Sequence, residues 1–272
     1  MQLFSSWTGG DFLLFYTLLL GFAMLASWWM PMQLRPSGRT AESLEAEDLA
    51  LLSGGRARFA DSLMADLFVR GGLAEAGRGK LAVVQSSLPA SPAGKALLRV
   101  SGPISPVEAR SLLASQADRV AARLERHGLL LRYEEMLRLR MLCIAPFVFL
   151  LVVGLYRQRA GSMLGEPTGA LVGLMVVTVL AAVIRLAKFD RRTEGGIATL
   201  HNMQDKFARL RLAPEPQEVP LAVALFGTAV LLGTPWEPVH AMLHKNKDGD
   251  GGDSSDSDGG SGCGGGCGGC GG

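Results

Sequence analysis

The chain has 272 residues, of which 48% are hydrophobic and 19% charged, and its formal net charge is +2. That balance is too slight to imply nucleic acid by itself, and four cysteines, three of them in a glycine tail, exclude a small disulfide scaffold. The average also hides a split between long uncharged apolar runs and segments rich in Arg, Glu and Asp, so part of the chain suits lipid and part suits water.

Residues 1–11 precede the first apolar run, FLLFYTLLLGFAMLASWWM, which covers residues 12–30 without a charge. An α-helix rises about 1.5 Å per residue, so ~20 such residues cross the ~30 Å hydrocarbon layer. Trp7 before the run and Trp28 and Trp29 at its end occupy the places where indoles settle at lipid–water boundaries. The first ten residues carry no Lys or Arg and no Ala-x-Ala-like site follows Trp29, so the run reads as a retained anchor rather than a cleaved signal.

Residues 41–132 form a candidate domain, mostly helical. Helices are expected over 42–52 and 59–69, the second stopping at Gly71-Gly72; a β-hairpin is expected over 73–75 and 81–85, joined by AGRGK. This is the helix, helix, wing order of a winged helix. Ser105-Pro106-Val107-Glu108 has the N-cap serine, first-turn proline and N3 glutamate of a capping box, and Leu113, Ala117, Val120 and Leu124 then place one apolar face on a helix that ends at His127-Gly128.

Residues 141–156 and 168–187 follow as a hairpin of two further spans, extended by arginines expected to snorkel: Arg138, Arg140, Arg157 and Arg185. Their link contains Gly161, Gly165 and Pro167, and Pro146 lies within the first arm. Lys and Arg near the span ends set the orientation. Arg35, Arg39, Arg132, Arg138, Arg140, Arg185, Lys188, Arg191 and Arg192 flank the central region, against Arg157 and Arg159 on the other side, so the N-terminus is expected outside and residues 41–132 in the cytosol.

Residues 193–212 carry an apolar stripe of Ile197, Leu200, Met203, Phe207 and Leu210, suited either to the membrane interface or to docking on the central domain. Residues 219–236 are uncharged, but Gly227, Gly233 and Pro235 leave their status as a fourth span open. The tail, residues 248–272, is low in complexity and expected to be disordered, because glycine and repelling carboxylates bury too little apolar area to offset chain ordering.

Chemistry has few candidates. Cys263, Cys267 and Cys270 have a C-x3-C-x2-C spacing that would let three thiolates converge on zinc or an iron–sulfur cluster, although a Gly/Cys tail reaches such spacing by composition alone. His240 and His244, at i and i+4, share a helical face and would add ligands. No other cofactor is implied, and no phosphate loop, nucleophile elbow or H-E-x-x-H pair supports an enzyme. Arg78 and Lys80 on the wing suit a headgroup or a protein partner; they are too few to neutralise many phosphates, so nucleic acid is not the expected partner.

The segments LMADLFVRGGLAEAGRGKLAV, HGLLL, DRRTEGGIATL, AVALFG and CGGGCGGCGG together resemble a family of bacterial membrane proteins with a domain of unknown function and a Gly/Cys-rich C-terminus. The resemblance covers most of the chain from Glu45 onward and implies an inner-membrane location, with no reaction attached. The stretch LFVRGGLAEAGRGKLAVV is also similar to the helix-and-hairpin part of Golgi phosphoprotein 3-like domains, which recognise membrane lipids and protein tails, but it lacks their strongly basic pocket. The expected fold is therefore mainly α: a polytopic helical membrane protein with a small winged-helix-like cytosolic domain and a disordered tail. The expected function is a noncatalytic scaffold engaging lipid and an unidentified protein. Thiol or metal handling by the tail is the alternative, and a membrane-bound DNA-binding regulator the third reading.

Overall fold

The computed structural model describes residues 9–77, 79–163, 169–187 and 190–245. Trp7, Arg78 and the tail with Cys263, Cys267 and Cys270 lie outside the described residues. The order of elements is α1 (Gly9–Leu34), α2 (Ala46–Val69), β1 (Leu73–Glu75), β2 (Leu81–Val83), α3 (Pro92–Leu98), α4 (Pro106–Arg126), α5 (Tyr133–Met163), α6 (Gly169–Ala187), α7 (Glu194–Lys206), α8 (Val219–Phe226) and α9 (Glu237–Lys245). The fold is mainly helical, with β1 and β2 its two-stranded antiparallel sheet.

Helices α1, α5 and α6 are each long and apolar enough to cross a membrane. They pack as an antiparallel bundle. Phe12, Tyr16, Leu20 and Ala23 recur on one face of α1 and are buried against Phe147 and Leu150 of α5 and Leu171 of α6. The opposite face of α1 exposes Leu14, Leu18, Phe22 and Leu25, and α5 and α6 likewise expose Phe149, Val152, Val179 and Val183. An apolar girdle of this kind is unfavourable in water and matches hydrocarbon. The expected second arm, 141–156, is longer in the structure, because Glu134 and Glu135 sit in the first turn of α5, where carboxylates favour the helix dipole, and nothing breaks the helix before Met163.

The remaining elements make one domain from two separated stretches of chain, before α5 and after α6. Helix α2 contributes more of its core than any other element: Leu49, Leu51, Leu52, Phe59, Leu63, Met64 and Leu67 are buried. It breaks at Gly54 and Gly55, the latter at φ 64 and ψ −156, a conformation side chains disfavour, so the expected pair of helices is present, joined by a two-glycine kink instead of a longer loop. The hairpin forms as expected, pairing Leu73 with Val83 and Glu75 with Leu81, and Ile104 exchanges backbone hydrogen bonds with Leu81 at 2.7 and 2.8 Å. The capping box at Ser105 and Glu108 is present in both directions, at 3.2 and 2.8 Å. Helix α3 was not expected, although Ser91-Pro92 repeats the N-cap serine and first-turn proline of Ser105-Pro106, and Ser91 Oγ accepts from Gly94 N at 3.1 Å.

The stripe after α6 docks on this domain, with Leu200, Met203 and Leu210 buried, and the helix ends at Lys206, passing into a tighter turn over Ala208–Arg211. Residues 219–236, left open as a fourth span, do not form one helix. Helix α8 is eight residues long, lies in the core of the domain with Val219, Val223, Ala224 and Leu225 buried, and stops at Gly227 with φ +91. A helix leaves its last carbonyls without internal partners. Neighbouring side chains supply two of them, Gln204 Nε2 donating to Leu225 O at 3.1 Å and Ser53 Oγ to Ala224 O, while Ser62 Oγ ties the first turn to α2 by donating to Pro220 O at 2.8 Å.

If α8 is core, Leu225→Ala, at a side chain 2% exposed, destabilises the domain by about 2–5 kcal/mol. Leu232→Ala, at a side chain 54% exposed, changes stability by less than about 0.5 kcal/mol. Denaturant unfolding of the detergent-solubilised chain distinguishes the two; equal costs would remove α8 from the core.

Candidate functional site

The chain crosses between bundle and domain three times, at residues 35–40, 128–132 and 190–195, and the three crossings are hydrogen-bonded into a collar. Arg39 N donates to Gly128 O at 3.3 Å, Thr193 N to Leu129 O at 3.1 Å, and Leu131 N to Arg191 O at 2.9 Å. Glu194 N donates to Pro36 O at 3.2 Å and Gly195 N to Ser37 O at 2.7 Å. Thr193, 3% exposed, sits at the centre. Its hydroxyl lies 2.8 Å from Gly128 O as donor and accepts from Gly196 N at 3.1 Å, so one side chain closes the second crossing and caps α7.

The strands of the collar approach too closely for side chains. A Cβ at Gly196 would lie 2.3 Å from Leu129 O, and one at Gly38, where φ is +62, would lie 2.4 Å from Gly128 O. Glycine at both positions is therefore a packing requirement.

Inside the bundle, polar groups are paired across helices. Tyr16 Oη and Thr178 Oγ1 are 3.2 Å apart, and Thr178 Oγ1 also lies 2.8 Å from Leu174 O. Arg157, 7% exposed, stacks its guanidinium 5.6 Å from the centre of the Phe12 ring. Arg185 reaches from α6 to α1, where Nε donates to Ser27 O at 3.1 Å and Nη2 to the same oxygen at 2.8 Å. In an unbroken helix the Ser27 carbonyl would receive the N–H of residue 31, but that residue is Pro31 and has none. Arg185 thus supplies the donor that α1 lacks. Beside it, an open groove of about 360 Å³ runs between α1 and α6 over Phe147.

Of the arginines expected to snorkel, Arg138 is exposed and Arg140 half-buried, whereas Arg157 and Arg185 turn into the bundle. Trp28 and Trp29 are exposed on α1. Lys80 is exposed at the tip of the hairpin. His240 lies in α9 with Nδ1 3.2 Å from Thr228 Oγ1, and His244 lies one turn further along the same helix. Among the described residues no group of three or more His, Cys, Asp or Glu side chains is placed to hold a metal ion.

Several arginines of the domain are engaged by carboxylates. Arg70 pairs with Asp66 at 3.2 Å, Arg110 with Asp61 at 2.9 Å and Arg56 with Asp118 at 2.5 Å. At the start of α2, Arg123 binds the buried Asp48 and approaches Glu45 at 3.9 Å. Burial raises the Glu47 carboxyl above its ordinary 4.5, against a hydrogen bond from Ser91 that lowers it. The Glu108 carboxyl is held below its ordinary value by the Ser105 backbone and side-chain hydrogen bonds.

No family model matches this sequence, and neither does any curated protein or solved structure. The collar and the Ser27–Arg185 pair escaped the sequence reading, although Thr193 ahead of a Gly-Gly pair, and a proline four residues after Ser27 in an apolar run, were visible signals.

Two outcomes follow. Gly196→Ala destabilises the folded chain by about 1–3 kcal/mol, while Gly173→Ala, whose Cβ meets open space, does not; thermal unfolding in detergent reads the difference. Because the folded Glu47 carboxyl titrates above its unfolded value, its favourable contribution is complete below about pH 4 and is lost as pH rises through the folded value. Glu47→Gln therefore raises the unfolding midpoint at pH 7.5, and the gain closes toward pH 4; a lowered midpoint at pH 7.5 refutes it.

Proposed function

We propose that the chain is a polytopic protein of a bacterial inner membrane, a noncatalytic scaffold that holds a helical domain at the cytosolic surface for a protein partner. In this reading helices α1, α5 and α6 cross in alternating directions, with the start of α1 and the α5–α6 link on the outer side. Arg35, Arg39, Arg132, Arg138, Arg140, Arg185, Arg191 and Arg192 all belong to the collar end of the bundle, against Arg157 and Arg159 at the far end. That asymmetry supports a cytosolic domain.

The observation that carries the scaffold reading is the collar. A domain on a single flexible linker samples many orientations, whereas one tied by three hydrogen-bonded crossings presents one face at a fixed height and angle. The helix, helix, hairpin order is winged-helix-like, but the pairing of Arg56, Arg70 and Arg110 with carboxylates disfavours phosphate contact and favours a protein or headgroup partner. Exposed Val84, just after β2, and Lys80 at the hairpin tip give that partner an apolar and a cationic contact.

Alkaline extraction of membranes and cysteine labelling test this reading. In a chain whose four cysteines are replaced by serine, Gly10→Cys is labelled in intact spheroplasts and Lys80→Cys only after the inner membrane is opened. A photoreactive residue at Val84 then crosslinks one discrete protein. Recovery of the chain in the carbonate supernatant defeats the membrane placement, and crosslinking to lipid alone defeats the scaffold.

A further inference from the structure

The groove beside Arg185 has the composition of a lipid site rather than of a simple packing defect. Met24 of α1, Phe147 of α5 and Val177, Ala181 and Ile184 of α6 line it, and Arg185 stands at the end nearest the collar. Its volume, about 360 Å³, lies within the range of small-molecule clefts. Its mouth opens where the exposed faces of α1 and α6 would meet hydrocarbon.

The charge at its end is unbalanced. A guanidinium has five N–H donors, and Arg185 uses Nε and one Nη2 donor on Ser27. Among the described residues Nη1 has no acceptor and Arg185 forms no ion pair; Glu135, which also lies near the collar, accepts instead from Arg132 N at 3.4 Å. An ordinary arginine near a span end extends its head into water. Arg185 is held back, because position 31 is proline and the Ser27 carbonyl takes its donors from the guanidinium. A cation locked at the edge of an apolar groove is stabilised by an anion that brings its own apolar chain.

We propose that this groove binds an anionic glycerophospholipid of the inner leaflet, one acyl chain lying along Phe147 and Ala181 and the phosphate seated on the free edge of the Arg185 guanidinium. The site rests on the membrane placement proposed above. Bidentate pairing of guanidinium with phosphate oxygens accounts for the choice of phosphate, and the negative headgroup accounts for preference over a zwitterionic lipid. The lipid would then complete the α1–α6 contact at the cytosolic end of the bundle.

Native mass spectrometry of the full chain in neutral detergent tests it, with phosphatidylglycerol and phosphatidylcholine of matched chains as probes. The wild-type chain retains phosphatidylglycerol about tenfold more tightly than phosphatidylcholine. Arg185→Gln brings that ratio to about one, while Arg138→Gln, at an exposed arginine on α5, leaves it within about twofold of wild type. Ala181→Phe fills the groove, leaves the guanidinium on Ser27, and lowers retention of both lipids about tenfold; it decides the matter if Arg185→Gln fails to fold. Equal retention of the two lipids by wild type, an unchanged ratio in Arg185→Gln, wild-type binding by Ala181→Phe, or a dimer in place of a lipid-bound chain each overturns the proposal. A membrane-embedded chain without lipid preference loses this site alone, whereas a chain recovered from the supernatant of a detergent-free lysate loses the membrane placement as well.

Discussion

The rest of the structure depends on the hydrogen bonds that bind residues 36–39, 128–131 and 191–195 to one another. Each crossing alone is a short irregular segment, with backbone groups that need partners wherever water is scarce. Together they satisfy one another: the carbonyls of Pro36 and Ser37 receive Glu194 and Gly195, and the carbonyl of Leu129 receives Thr193. The arrangement requires backbone against backbone, which is why Gly38 and Gly196 stand where a methyl group would collide with a carbonyl. Thr193 is suited to the centre because a short hydroxyl both donates and accepts, so it joins a crossing to a helix start, and its side chain fills the space Gly38 leaves, where a Cβ would lie 2.7 Å from the Thr193 Cβ.

The collar matters because the domain beneath it is not continuous in sequence. Helices α2 to α4 build one side of the core, and α7 to α9 arrive only after the α5–α6 hairpin has been made. Helix α8 then lies against α2, where Ser53 meets the Ala224 carbonyl left open at the helix end and Arg58 and Ser62 add bonds to the Val223 and Pro220 carbonyls. The bend at Gly54 and Gly55 belongs to the same fit. It frees the Ser53 carbonyl, and Arg192, one residue from Thr193, donates to it. The collar and the core thus share a hydrogen-bond network, so a disturbance at the crossings reaches the packing of α2 against α8.

Local signals were legible where local physics decides the outcome. Ser105, Pro106 and Glu108 announce a helix start because the capping box is made within four residues, and Leu73–Glu75 with Leu81–Val83 announce a hairpin because the turn between them is short. The apolar runs likewise show themselves by length and absence of charge. What could not be read locally was partnership. The stripe of Leu200, Met203 and Leu210 suits a lipid interface as well as a protein core, and only the position of α2 decides between them. The run from Val219 is apolar enough to suggest a span, yet its apolarity reflects burial on all sides of a short core helix; Gly227 was the local clue to its length. For the site, residue type pointed to Arg185 as a boundary cation but gave the wrong direction for its head, because the acceptor that turns it inward lies 158 positions away.

Ser27 and Arg185 show how a local defect becomes a tertiary constraint. Pro31 removes one donor from α1 near the collar. In water the orphaned Ser27 carbonyl would be hydrated at little cost, but next to apolar side chains it must find a protein donor or pay the full desolvation penalty. A neutral donor would satisfy the carbonyl and leave no further consequence. A guanidinium satisfies it with two parallel donors and carries a full charge into the same place, so α1 and α6 are locked together at the cost of a new electrostatic demand. That demand faces outward, toward the groove, because the protein side of the guanidinium is already occupied. The end of the bundle where its helices feed the collar is therefore also where the proposed lipid phosphate would sit.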